Sequence, residues 1–137
     1  MGRTYEGNWI DRSHEFAVRV LRITNKLPRT AAGFTIAGQI TRSSTSIPFN
    51  LEEAKSAQTE PDTLNKTVIA RKEAAETRRA LLVIRDVPLL PPTESDELTY
   101  LIKESHELVA MLTVGTKRLE ARIAQKKRRP VSNGKST

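Results

Sequence analysis

No cysteine occurs among the 137 residues. Disulfides, thiolate nucleophiles and cysteine-bound zinc are therefore excluded. Aromatic residues are scarce too, with one Trp, two Tyr and three Phe. A core must then be built from Leu, Ile, Val and Ala, the usual filling of helix bundles rather than of sheets. The six glycines are scattered, and none belongs to a loop of the kind that cradles phosphates. No apolar run approaches the ~18 residues of a membrane span. The start "MGRTYEGNW" lacks the apolar centre of a signal peptide and the hydroxyl residue of a myristoylation signal. The expectation is one cytoplasmic domain with no membrane partner.

What is present is first a charge asymmetry. Residues 1–116 hold fifteen Lys/Arg and fifteen Asp/Glu, whereas residues 117–137 hold eight Lys/Arg and one Glu. The whole net charge of +7 therefore sits in the last 21 residues, densest at "KKRR". A balanced body with a basic end suits an arm for nucleic acid or an acidic partner. It equally suits a solvated terminal turn whose cations complement a helix C-terminus.

Apolar residues recur every three or four positions in four stripes. The first is Trp9, Ser13, Phe16, Val20, Ile23, Leu27; the second is Ala37, Ile40, Ser44, Ile47, Leu51, Ala54. The third is Thr67, Ala70, Ala74, Thr77, Leu81, Ile84; the fourth runs Leu98, Leu101, Ser105, Leu108, Leu112, Gly115, Leu119. No segment alternates with period two. The spacing predicts helices over about 8–27, 31–57, 60–86 and 94–127, separated by "LPRTAAGF", "TEPD" and "PLLPPTESDEL". Thr59 with Asp62, and Thr93 with Asp96, stand at capping-box offsets. Short connections make sequential helices antiparallel, so the expected fold is all-α: an up-down-up-down, left-handed four-helix bundle over 1–127. Residues 128–137, broken by Pro130 and rich in small polar residues, are expected to form a disordered basic tail.

"RSSTSIPFNLEEA", 42–54, contains four consecutive hydroxyl residues and a proline. A serine nucleophile there would need a base and an oxyanion hole, and helical backbone already uses its own N–H groups. Ile40, Ser44, Ile47 and Leu51 keep helical step through the stretch. Back-bonded hydroxyls and a bend near Pro48 let one helix contain them. The two histidines, His14 and His106, have acidic neighbours in Asp11, Glu104 and Glu107. A bundle metal site would also need inward glutamates on helices 2 and 3, which their stripes lack. No metal, cofactor or small-molecule substrate is expected.

The segment "QITRSSTSIPFNLEEA" resembles the helix-2 signature of the four-helix bundle proteins encoded by 23S rRNA intervening sequences. Gln39, Arg42, Ser43, Ser46, Ile47, Asn50 and Glu53 stand in register with that signature, and Ile69, Ala70, Glu76 and Leu81 match a later segment. Leu51-Glu52, Ala54 and Lys72-Glu73 depart from it. The resemblance implies an antiparallel bundle assembled as a homopentamer. It also implies kinship with the accessory proteins of diversity-generating retroelements, which bind nucleic acid beside a reverse transcriptase.

Two groups of candidate residues follow. A second stripe on helix 3, Leu64, Val68, Arg71, Ala75, Arg78 and Leu82, mixes apolar residues with two arginines. It suits a face covered by another subunit, as the resemblance implies, or a bundle edge where arginine stems lie over the core. Lys117, Arg118, Arg122, Lys126, Lys127, Arg128 and Arg129 form the candidate contact to RNA or DNA backbone. No aromatic residues interleave this run, so little base specificity is expected from it. The expected function is non-enzymatic: an oligomeric nucleic-acid-binding bundle accessory to a processing enzyme. The alternative is a protein scaffold that does not touch nucleic acid.

Overall fold

The computed structural model describes residues 5–128, with side chains from residue 8 onward. Four helices follow in order: α1 (Tyr5–Thr24), α2 (Ala31–Ser56), α3 (Glu60–Asp86) and α4 (Ser95–Arg128). No strand occurs among the described residues. Each helix packs on its neighbour in sequence, and α1 closes onto α4. Ion pairs give the directions. Arg12 reaches Glu104 while Arg19 reaches Glu97, and Arg42 reaches Glu73 while Glu53 reaches Lys66. Partner numbers fall as residue numbers rise, so these neighbours run antiparallel.

The predicted stripes form the core. Phe16, Val20, Ile40, Ile47, Leu81, Ile84, Leu101, Leu108 and Leu112 are all buried. Each large aliphatic side chain removed from water contributes roughly 1.5–3 kcal/mol. Small residues fill the remaining seam positions: Ser13, Ser44, Ala70, Ala74, Thr77 and Ser105 are also buried. Where α2 meets α3, the Ser43 and Thr77 hydroxyls are 2.8 Å apart. Thr77 donates to the Glu73 carbonyl, so Ser43 is the donor between them.

α2 is helical on both sides of Pro48, which is itself buried. The hydroxyls of its middle turns are used locally. Ser44 and Thr45 donate to the Thr41 carbonyl, and Ser46 donates to that of Arg42. Asn50 continues the series by donating its amide to the Ser46 carbonyl.

The helix ends agree with expectation in part. Thr59 caps α3, its hydroxyl accepting the Asp62 N–H at 3.2 Å, with Pro61 in the first turn. α2 has a cap that its sequence did not bring forward: Thr30 accepts the Gly33 N–H at 3.1 Å. α1 stops at Thr24, not near residue 27. Pro28 disfavours helical geometry at Leu27, and two short turns bond Lys26 and Leu27 back to Ile23 and Thr24. Leu27 stays buried all the same, plugging the core from the loop. Thr93 makes no capping bond either. Pro92–Glu94 form a 3-10 turn, with the Glu94 N–H donating to the Pro91 carbonyl, and α4 begins after it.

Along the α1–α4 seam Arg19 grips Glu97 with two hydrogen bonds, at 2.8 and 2.6 Å, and lies 3.8 Å over the Tyr100 ring. Those bonds from Arg19 hold the Glu97 carboxyl below its ordinary value, against the opposing effect of burial. A lowered folded-state pKa means the unfolded chain binds more protons. The pair's stabilisation is then complete above the ordinary glutamate value of 4.5 and is lost as pH falls through the lowered value. Arg19→Gln is expected to flatten the acid-side loss of stability in that window, as read by denaturant titrations across pH.

Two glycines of α2 offer an opposed pair of outcomes. A Cβ at Gly33 would overlap the Pro28 backbone carbonyl, whereas one at Gly38 meets nothing within 4 Å. Gly33→Ala should lower stability by about 1–3 kcal/mol through overpacking. Gly38→Ala should raise it by about 0.5–1 kcal/mol through helix propensity. Thermal and chemical unfolding of the two variants will show whether the signs differ.

Candidate nucleic-acid interface

With 34 residues, α4 is the longest helix, seven residues beyond the 27 of α3. No Gly or Pro interrupts it after Gly115, and Leu119, Ala121, Ala124 and Gln125 favour its continuation. At 1.5 Å per residue the difference amounts to roughly 10 Å of additional helix. The last twelve residues of α4 carry the cations. Lys117, Arg118, Arg122, Lys126, Lys127 and Arg128 are all exposed. Arg129 and the rest of the expected tail lie outside the described residues; Arg128, assigned to that tail, is the last residue of α4.

The cations do not share one face. Arg118, Arg122 and Lys126, four residues apart, lie on a stripe that leans over the start of α3. There Glu60 accepts from Arg122 at 3.0 Å and pairs with Lys126 at 2.9 Å. Lys126 first, then Arg122, pull the Glu60 carboxyl below its ordinary value. Lys117 and Arg128, eleven residues apart, share another side, and Lys127 lies between. Lys117, Arg118, Lys127 and Arg128 have no acidic partner among the described residues. Sequence reasoning missed Glu60, although an acidic residue beside a capping threonine was visible in "TEPD".

A cavity of about 480 Å³ opens at this same end, between the last turn of α2, the first turns of α3 and residues 115–122 of α4. Trp9 forms part of its wall. The ring lies so close to Gly115 that a Cβ there would overlap it. Lys55, Arg118 and Arg122 stand on the same wall.

The signature residues of α2 gather elsewhere, on its seam with α3. Arg42 bonds Glu73 at 3.1 Å and Glu76 at 2.7 Å, and these carboxylates raise the pKa of its guanidinium. Ser43 meets Thr77, while Ser46 and Asn50 bond within α2. These residues join two helices, and Gln39, Arg42, Ser43 and Glu76 also line a second cavity of about 280 Å³ on that seam. Both histidines are exposed, and the glutamates beside His106 are engaged by Arg12.

On the outer stripe of α3, Leu64, Val68, Arg71, Arg78 and Leu82 are half-buried and Ala75 is exposed. The Arg78 Nε is buried and meets no acceptor among the described residues. The most exposed large apolar side chains belong instead to α2, Phe34 at 59% and Phe49 at 68%. They stand in a stretch, 31–51, whose one charged residue is Arg42. That scarcity of charge was visible in the sequence, but the outward direction of the two phenylalanines was not.

Comparison with known proteins points in one direction. A family model described as 23S rRNA-intervening sequence protein matches residues 7–113. A crystal structure from Bacteroides thetaiotaomicron, described as a protein of unknown function from the S23 ribosomal protein family, is 32% identical. The alignment covers 83% of this chain and 99% of that one, with a TM-score of 0.73. No curated protein matches.

The helix-2 signature generates its own test. Ser43→Ala removes the donor to the Thr77 hydroxyl and should cost about 1 kcal/mol. Thr77→Val should cost a similar amount, and the double variant should cost less than the two together. Additive losses in chemical unfolding would mean that the hydroxyl pair does not couple α2 to α3.

Proposed function

The chain belongs to the 23S rRNA-intervening sequence protein family, and from that premise we propose a non-enzymatic, homo-oligomeric bundle that grips nucleic-acid backbone with the basic end of α4. The observation that carries this reading is the charge partition. Residues 1–116 are balanced, and the entire excess of seven lies from residue 117 onward. Backbone phosphates are the natural counterpart of such an arm, because each cation they engage releases condensed counterions. The names of the family and of its Bacteroides relative refer to 23S rRNA and to the ribosome. A 23S rRNA fragment is therefore the first ligand to test.

The reading includes assembly. The half-buried apolar stripe of α3 is the proposed subunit contact. A pentamer, as the resemblance in α2 implies, would bring five basic ends together and raise avidity for one strand. The same resemblance makes a nucleic-acid-processing enzyme, such as a reverse transcriptase, the proposed protein partner. Absence of catalysis is supported by the hydroxyls of Ser43–Ser46, all spent on helix carbonyls or on Thr77.

A second reading is favoured by one observation, the charge-poor outer face of α2 with its exposed Phe34 and Phe49. A face of that kind suits a scaffold that docks another protein without touching nucleic acid.

A salt series separates the two. The full chain should bind the rRNA fragment and a DNA duplex, with log affinity falling linearly in log salt. Replacing Lys126, Lys127 and Arg128 together by Gln should lower the magnitude of that slope by about 3. Glu60→Gln, which releases Arg122 and Lys126, should tighten binding. No binding at low salt, or an unchanged slope in the triple variant, favours the scaffold. Light scattering against the 15.3 kDa protomer mass tests the assembly.

A further inference from the structure

We propose that the cavity at the basic end is a pocket for one unpaired nucleotide, which makes the protein a reader of single-stranded segments or strand ends rather than of continuous duplex. The inference rests on the backbone-binding function proposed above and names the form of nucleic acid it prefers.

Position comes first. Arg122 belongs both to the cavity wall and to the cationic stripe that ends at Lys126. A strand held by the end of α4 therefore passes the mouth of the cavity. The volume of about 480 Å³ lies in the usual range for small organic ligands and has room for one nucleotide, not for a base pair with its two backbones.

The chemistry of the wall narrows the occupant. Trp9 and Leu51 are buried and Leu119 is half-buried, giving an apolar floor. Lys55, Arg118 and Arg122 supply positive charge around it, against one carboxylate, Glu60, that Arg122 and Lys126 already occupy. An apolar floor with a cationic rim selects an anion that carries an apolar body. Thr63 and Thr67 divide a long aliphatic ligand's claim from that of a base. Their hydroxyl protons go to the carbonyls of Thr59 and Thr63, at 3.1 and 2.7 Å, so each oxygen still has capacity to accept. Acceptors among apolar groups suit the N–H edge of a nucleobase, whereas an alkyl chain leaves them unmatched. The phosphate then falls to Arg118 and Lys55.

The sole tryptophan of the chain stands on this wall, so its fluorescence reports on changes there. The full-length protein would be titrated with adenosine 5′-monophosphate, ribose 5-phosphate, inorganic phosphate and dodecanoate. A single-stranded oligonucleotide and a blunt duplex of equal length complete the series. The expected result is a saturable Trp9 change with the mononucleotide and the single strand. Phosphate, ribose phosphate and the duplex should leave Trp9 unchanged. Ala57→Phe, at a half-buried wall position just beyond α2, should lower the ratio of single-strand to duplex affinity about ten-fold, the scale of one lost base contact. Arg118→Gln, on an exposed residue, gives a second variant with little risk to folding, and should weaken the mononucleotide by a similar factor.

Equal affinity for both strands with a silent Trp9 overturns the pocket and leaves the backbone function standing. A mononucleotide response with no binding of either strand keeps the pocket and overturns the backbone function. A stronger response to dodecanoate than to the mononucleotide overturns the nucleotide in favour of a lipid anion.

Discussion

Close approach of helices through small hydroxyl residues is the constraint on which this bundle depends. Among the described residues seven Ser and Thr are buried, at Ser13, Ser43, Ser44, Thr67, Thr77, Ser105 and Thr116. A buried hydroxyl without a partner costs on the order of 1–3 kcal/mol. Six of the seven lie within hydrogen-bonding distance of a carbonyl three or four residues back in their own helix. Ser43 gives its proton to Thr77, and for the other five that device removes the penalty without calling on a neighbouring helix. It leaves the surface of each seam small and smooth, so that Ser43 and Thr77 can meet across α2 and α3. With so few aromatic residues, larger gaps could not be filled, and close approach is how an aliphatic core of this size becomes dense.

Once the helices are close, charge is confined to the rims, and there it does two different things. Along α1–α4 and α2–α3, arginines meet pairs of carboxylates: Arg12 with Glu104 and Glu107, Arg42 with Glu73 and Glu76. These pairs balance charge locally and fix which helices are neighbours. They contribute modestly to stability, because their side chains remain partly in water. At the end of α4 the proportion is reversed, with two cations on one Glu60. Glu60 orients those cations while leaving net positive charge unspent.

Four helices were legible because the apolar period survives every helix-breaking residue, including Pro48 and the run Ser43–Ser46. Thr59 as a cap and Ser44 on the seam were legible for the same reason: both roles are decided within one turn of chain. Leu27 shows the limit of periodicity. It continues the stripe of α1 and is buried as the stripe requires, yet it belongs to a loop, because burial records distance from the core and not backbone geometry. Thr93 shows another limit, since its offset to Asp96 suits a cap only if the helix starts there, and the prolines before it favour a 3-10 turn. Partners more than thirty residues apart, such as Arg42 with Glu73 or Glu60 with Arg122, have no local signature. The cavity beside Trp9 is still less visible, because its wall comes from the starts of α1 and α3 and the C-terminal parts of α2 and α4.

The placement of that cavity follows from the lengths of the helices. α2 ends at Ser56 and α3 starts at Glu60, so their connection is three residues long and cannot cover the end of the bundle. α4 runs past this connection: Gly115, Arg118, Leu119 and Arg122 line the opening, and Arg122 reaches Glu60. A longer loop, or a large residue at Gly115, would close the space or displace Trp9 into it. The open end and the cationic overhang are thus products of one architectural fact, a fourth helix that outlasts the bundle it completes. Charge and cavity come together there without any residue being withdrawn from the core. That is why the bundle can present a shaped, charged site at its tip while its core stays filled.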